Sequence, residues 1–128
     1  MEVIRAVREA VGDDLIVALR LGACDYMEGG STVEDGAKAA ELFEAAGVDL
    51  LDISGGFNGY KRNDLKEPGY FGDASVAAKQ KVSIPVILTG GVRDAESAEK
   101  LLEENKADLI GVGRAIYKDS DWAKKQMV

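Results

Sequence analysis

Apolar residues recur along this chain in two rhythms that alternate from one end to the other. Residues 2–12, EVIRAVREAVG, place Val3, Ile4, Val7 and Val11 on one helical face, with Gly12 as a C-terminal stop. Residues 15–21, LIVALRL, form a continuous apolar run of a length that suits a buried strand. A helix follows over 31–47, where Ser31 and Glu34 fit a capping box, Val33, Ala37 and Ala40 share a face, and Gly47 ends the element. Residues 48–54, VDLLDIS, predict a second strand. The glycine-rich, polar stretch 55–72 is long for a connection, and loops of that length usually carry function. Its aromatic residues Phe57, Tyr60, Tyr70 and Phe71 either line a ligand or pack the loop. Then come a helix over 73–81 capped by Asp73, a strand over 84–90, a helix over 94–105 capped by Asp94 and a strand over 107–113. Ala115, Ile116 and Tyr117 suggest a short extra helix, and Ser120 caps a terminal one over 120–128.

Val-, Ile- and Leu-rich strands alternating with helices imply an α/β fold with a parallel sheet covered on both faces and right-handed crossovers. Four βα units fit two architectures. One is a small, doubly wound open sheet. The other is half of a (β/α)8 TIM barrel, which takes about 250 residues when complete. The chain has 128 residues, close to half of that, and reads as one domain over 1–128. An isolated half barrel would expose two sheet edges and one apolar face, surfaces that drive pairing, so a homodimer is expected.

Composition narrows the chemistry more than the fold. A formal charge of −7 argues against a non-specific nucleic-acid surface or an anionic-membrane surface. The N-terminal segment does not have the pattern of a signal peptide, and the single cysteine, Cys24, suits a reducing compartment, so a cytoplasmic location is expected. With no reactive motif around it, Cys24 reads as inert. The chain contains no histidine, which removes the usual zinc sites and any histidine-based triad.

Two glycine corners stand at successive strand ends. Gly90 and Gly91 precede a capped helix, where backbone N–H groups can approach an anion. Gly113 and Arg114 precede the short extra helix, and Arg114 adds a permanent charge suited to a phosphate. Barrels often build a phosphate site from the loops after their last two strands plus such a helix. The competing reading is two tight structural corners. GVGRAI lacks the third glycine of a dinucleotide fingerprint. Arg20, near a strand end, either faces a ligand or makes an outward salt bridge to a helix carboxylate. Asp52 could orient Arg20, act as a base, or cap a loop. Ser54, Gly55 and Gly56 open the long loop at the ligand-bearing end of the sheet. Tyr117 and Trp122 read as packing anchors.

The segments LRL (19–21), IPVILTGGVRDAESAEKLL (84–102) and ADLIGVGRA (107–115), set in the same order of elements, resemble the C-terminal half of the old yellow enzyme family of FMN-dependent NAD(P)H:flavin oxidoreductases. The resemblance covers nearly the whole chain. It implies strands five to eight of a (β/α)8 barrel, FMN as cofactor and NAD(P)H as reductant. Residue by residue, it implies that Arg20 contacts the flavin ring and that Gly90, Gly91, Gly113 and Arg114 hold the FMN phosphate. Ser54 and Gly55 match the loop near the flavin or its substrate side. The histidine or asparagine residues that grip a substrate carbonyl, and the tyrosine that donates a proton, belong to the family's N-terminal half, and no position here matches them. The expectation is an FMN-binding half with little or no catalysis of its own. The alternatives are a non-enzymatic module binding phosphate, sulfate or a phosphoester, and a small self-contained enzyme using Asp52 and a tyrosine.

Overall fold

The computed structural model describes residues 1–57 and 61–126. Four parallel strands lie side by side in chain order: β1 (Ala18–Cys24), β2 (Leu50–Gly55), β3 (Val86–Thr89) and β4 (Leu109–Gly111). Around them run α1 (Glu2–Val11), α2 (Val33–Ala45), α3 (Gly72–Lys79), α4 (Ala95–Glu103), the one-turn α5 (Arg114–Lys118) and α6 (Trp122–Gln126). Tyr60, grouped above with the loop aromatics, falls outside the described residues.

The unreversed strand order decides between the two architectures. A doubly wound sheet reverses its order at a switch point, which sends helices to both faces. Right-handed crossovers between strands in sequential order deliver every helix to the same side. The burial pattern follows. Leu51, Ile53, Val86 and Leu88 point into the helix layer and are fully buried. Arg20, Asp52, Ile87 and Leu109 are aligned across the sheet and point the other way, and Arg20 and Leu109 are exposed. The sheet is therefore covered on one face, not on both as the alternation of elements had suggested. The open face mixes polar and apolar residues. Four consecutive βα units with one bare sheet face are the architecture of half a (β/α)8 barrel.

The core lies between sheet and helices in two adjoining clusters. One joins Ile4, Ala40, Val48, Leu51, Ile53, Ala74, Ala78 and Val86, and the other joins Tyr70, Phe71, Leu88, Val92, Leu101 and Ala107. Each fully buried Leu, Ile or Val contributes about 1.5–3 kcal/mol relative to exposure. Helix α2 lies so close to β1 that a Cβ on Gly36 would sit 2.0 Å from the Ala23 carbonyl oxygen.

Several element boundaries differ from the sequence reading, each for a local reason. β1 begins at Ala18, not Leu15, because Leu15 and Ile16 are exposed and precede the point where Asp49 Oδ2 accepts the Val17 N–H at 2.8 Å. The capping box of α2 is Thr32 with Asp35, one residue later than Ser31 with Glu34. Ser31 is engaged elsewhere: its N–H and Oγ donate to Asp25 Oδ2 at 2.7 and 2.8 Å. Phe71, not Asp73, occupies the N-cap of α3, and Asp73 accepts from Tyr26 and Arg62. Asp94 caps α4 as expected, accepting the Ser97 N–H at 2.8 Å. On α1 only Ile4 is buried, while Val3 and Val7 are exposed. Trp122 anchors α6 by donating from Nε1 to the Arg93 carbonyl at 2.7 Å, whereas Tyr117 is 93% exposed and anchors nothing. Among the described residues, no helix is long and apolar enough to cross a membrane.

Candidate functional site

A cavity of about 870 Å³ opens at the C-terminal ends of the strands, on the bare side of the sheet. Its lining includes Arg20, Ser54, Gly55, Gly90, Gly91, Gly113 and Arg114, so residues that are far apart in sequence meet at one place. Parallel strands in register explain the meeting, since every strand-to-helix loop emerges at the same end. Tyr70, Thr89, Arg93 and Lys118 complete the polar lining.

The two glycine corners are built differently. Gly91 has a φ of 74°, and a Cβ there would lie 2.5 Å from the Tyr70 ring, so local packing alone demands glycine. Gly113 has a φ of −114°, open to any residue, and a Cβ there would meet nothing within 4 Å. Its missing side chain leaves room in the cavity and relieves no crowding in the fold. The structural-corner reading thus accounts for Gly91 and leaves Gly113 unexplained.

Charge in the cavity runs against the charge of the chain. The sequence has 23 Asp and Glu against 16 Lys and Arg. Among the described residues, the cavity lining nevertheless contains Arg20, Arg93, Arg114 and Lys118 and no carboxylate. Arg114 and Lys118 open and close the single turn of α5, the i,i+4 spacing that brings two side chains to one face. Arg114 Nη2 donates to the Tyr70 hydroxyl at 2.6 Å.

Arg20 is tied into the sheet. Its Nε and Nη2 donate to Asp52 Oδ2 at 2.8 and 2.5 Å, and Thr89 Oγ1 donates to Asp52 Oδ1 at 2.7 Å. The partner is a neighbouring strand residue in direct register, not a helix carboxylate. Both oxygens of Asp52 are thereby engaged, and the carboxylate orients Arg20.

Behind the cavity the long loop is knotted to the β1 loop. The Arg62 guanidinium stands 4.1 Å over the Tyr26 ring and donates to the Tyr70 carbonyl at 3.0 Å and to Asp73 at 2.9 Å. Burial, reinforced by the hydrogen bond to Asp73, pushes the Tyr26 phenol above its ordinary range, so it stays protonated. Asp25 accepts the N–H groups of Phe57 and Ser31, and these bonds hold its carboxyl below the usual carboxylate range.

Thr89, Arg93 and Lys118 escaped the sequence reading. Arg93 follows the first glycine corner by two residues and Lys118 follows Arg114 by one helical turn, so proximity to the corners was the available signal. Thr89 carried none, because its role depends on Asp52 of the adjacent strand.

The sequence profile of the NADH:flavin oxidoreductase / NADH oxidase family matches residues 1–127. The chain belongs to this family. Its relatives include an NADH oxidase from Thermoanaerobacter brockii, 38% identical over 98% of this chain, and an NADPH dehydrogenase from Geobacillus thermodenitrificans, 34% identical over 94%. The chain spans 20% of the oxidase and 35% of the dehydrogenase. Among solved structures, a 2-naphthoyl-CoA reductase complex superposes with a TM-score of 0.82 at 25% identity, covering 98% of this chain and 20% of the reductase. The family resemblance read from the sequence is thereby borne out, and FMN is the cofactor of the family.

Proposed function

We propose that this chain is the FMN-phosphate-holding half of an NAD(P)H-dependent flavin oxidoreductase of the ene-reductase type, corresponding to strands five to eight of the barrel. One observation carries the reading: among the described residues, Arg20, Arg93, Arg114 and Lys118 and no carboxylate line the cavity of a chain with net charge −7. Such a lining suits a phosphate dianion. The residues also fit the rest of the cofactor. The volume of about 870 Å³ lies within the usual ligand-site range, and the space left by Gly113 admits a group that a side chain would exclude. In this assignment Arg114 and Lys118 neutralise the phosphate, Gly90, Gly91 and Gly113 let it approach the backbone, and Ser54 and Gly55 border the flavin. Arg20, held by Asp52, faces the ring.

Bound FMN supplies the hydride chemistry of the family. The chain itself contributes binding and orientation. The chain has no histidine among its 128 residues, and Asp52 is engaged by Arg20 and Thr89, so the isolated chain is expected to bind FMN, or phosphate and sulfate, with little or no turnover. The bare sheet face supports pairing with a second copy. In a two-fold pair, β4 of each copy meets β1 of the other in the parallel sense, which closes eight strands. Titration with FMN should quench flavin fluorescence and stabilise the fold. Purified protein that never takes up flavin but is stabilised by phosphate would favour a phosphate-binding scaffold instead. Sedimentation should report a dimer, and a stable monomer would remove the pairing.

A further inference from the structure

We infer that Tyr70 is a positioning residue that sets Arg114 for a phosphate monoester, and so makes the site select FMN over its unphosphorylated form. The inference rests on the FMN reading above. Tyr70 touches both glycine corners at once. Its ring lies against Gly90 and Gly91, where a Cβ on either glycine would come within 2.9 Å or less of ring carbons. Its hydroxyl accepts from Arg114 Nη2 at 2.6 Å. The one side chain therefore spans the gap between the corner after β3 and the corner after β4.

The ring is held on every side that matters. Phe71 meets it edge-to-face with centroids 4.7 Å apart, and Phe71 in turn stacks on Tyr26 at 5.7 Å. Arg62 Nη1 donates to the Tyr70 carbonyl, and the Gly69 N–H donates to the Gly90 carbonyl at 2.7 Å, so the backbone on both sides of the ring is tied down. Tyr70 is only 6% exposed. A phenol on so fixed a ring gives Arg114 a fixed acceptor. An arginine side chain free in solution samples many rotamers, and ordering it before the ligand arrives removes part of the entropy cost of binding. The benefit falls on a ligand group that Arg114 grips, which is the phosphate, and not on the flavin ring.

The test compares FMN with riboflavin, which differs only in the phosphate, on wild-type protein and Tyr70→Phe. Phenylalanine keeps the ring on the glycine corner and removes only the hydroxyl. The expected result is FMN affinity lower by roughly three- to tenfold, the scale of one ordinary net hydrogen bond, with riboflavin affinity unchanged. Tyr117→Phe, on an exposed residue, should alter neither. Equal weakening for both flavins would assign Tyr70 a merely structural role, and unchanged FMN affinity would overturn the inference outright. A ligand-free readout separates this from failure of the FMN reading. The guanidinium NMR signals of Arg114, assigned with Arg114→Lys, should move in Tyr70→Phe without any flavin present. A wild-type chain that ignores FMN while those signals move would sink the FMN reading but keep the contact; signals that stay put would sink the positioning role.

Discussion

The two faces of the sheet are cut from the same strands and have opposite characters. Leu51, Ile53, Val86 and Leu88 turn toward the helices and are sealed from solvent. Arg20, Asp52, Thr89 and Leu109 alternate with them, face the open side, and carry a salt bridge, a hydroxyl bond and an exposed leucine. The first face makes the fold. The second is free to serve a ligand, and its strand-end rim holds the candidate site. Period-two alternation lets one short strand do both, provided that the helices all fall on one side.

The strongest way to break this contrast is a pair of truncations. Leu88→Ala, on the sealed face, should cost about 2–5 kcal/mol of unfolding free energy in urea denaturation. Leu109→Ala, on the open face, should stay within about 0.5 kcal/mol for an unpaired chain. Similar costs at both positions would mean that the open face is covered in solution, and dependence of the Leu109 effect on protein concentration would identify a second copy as the cover.

Next in size is the site itself. Arg114→Ala should weaken FMN binding by about ten- to a hundredfold through loss of a charge-assisted contact, while leaving thermal stability nearly unchanged. Unchanged affinity would reduce the glycine corners to turns. Smaller still, Thr32→Ala should destabilise the chain by about 1 kcal/mol, because it removes the cap that α2 uses, while Glu34→Ala should have little effect. The reverse ranking would restore the capping frame read from sequence.

The smallest effect is the acid response. Backbone N–H groups of Phe57, Thr32 and Ser97 hold Asp25, Asp35 and Asp94 below their ordinary pKa. A lowered folded-state pKa contributes stability above the unfolded-state value, near 3.8, that is lost as pH falls through the folded-state value. Denaturation midpoints should therefore drop on acidification below about pH 4, and Asp94→Asn should flatten the slope. A midpoint indifferent to pH in that window would contradict these carboxylate contacts.

Much of this was legible in the chain. The alternation of apolar runs with capped amphipathic segments gave the βα order, and Asp94 and Gly12 marked boundaries that the structure keeps. The spacing of the two glycine corners placed them on adjacent strands, and hence at one cavity. The misses share a cause: contacts between distant segments. LIVALRL is apolar throughout, so only the Asp49 contact reveals that pairing starts after Ile16. Ser31 with Glu34 reads as the capping frame until Asp25 takes Ser31. Asp73 reads as a cap until Tyr26 and Arg62 claim it. The one-sided cover of the sheet depends on strand order, which no local pattern encodes.

The most direct test of the FMN reading is a fluorescence titration of the purified wild-type chain with FMN, repeated in excess inorganic phosphate. Saturable quenching that phosphate competes away is the predicted result. Absence of quenching at any accessible flavin concentration, or quenching that phosphate leaves untouched, would contradict it.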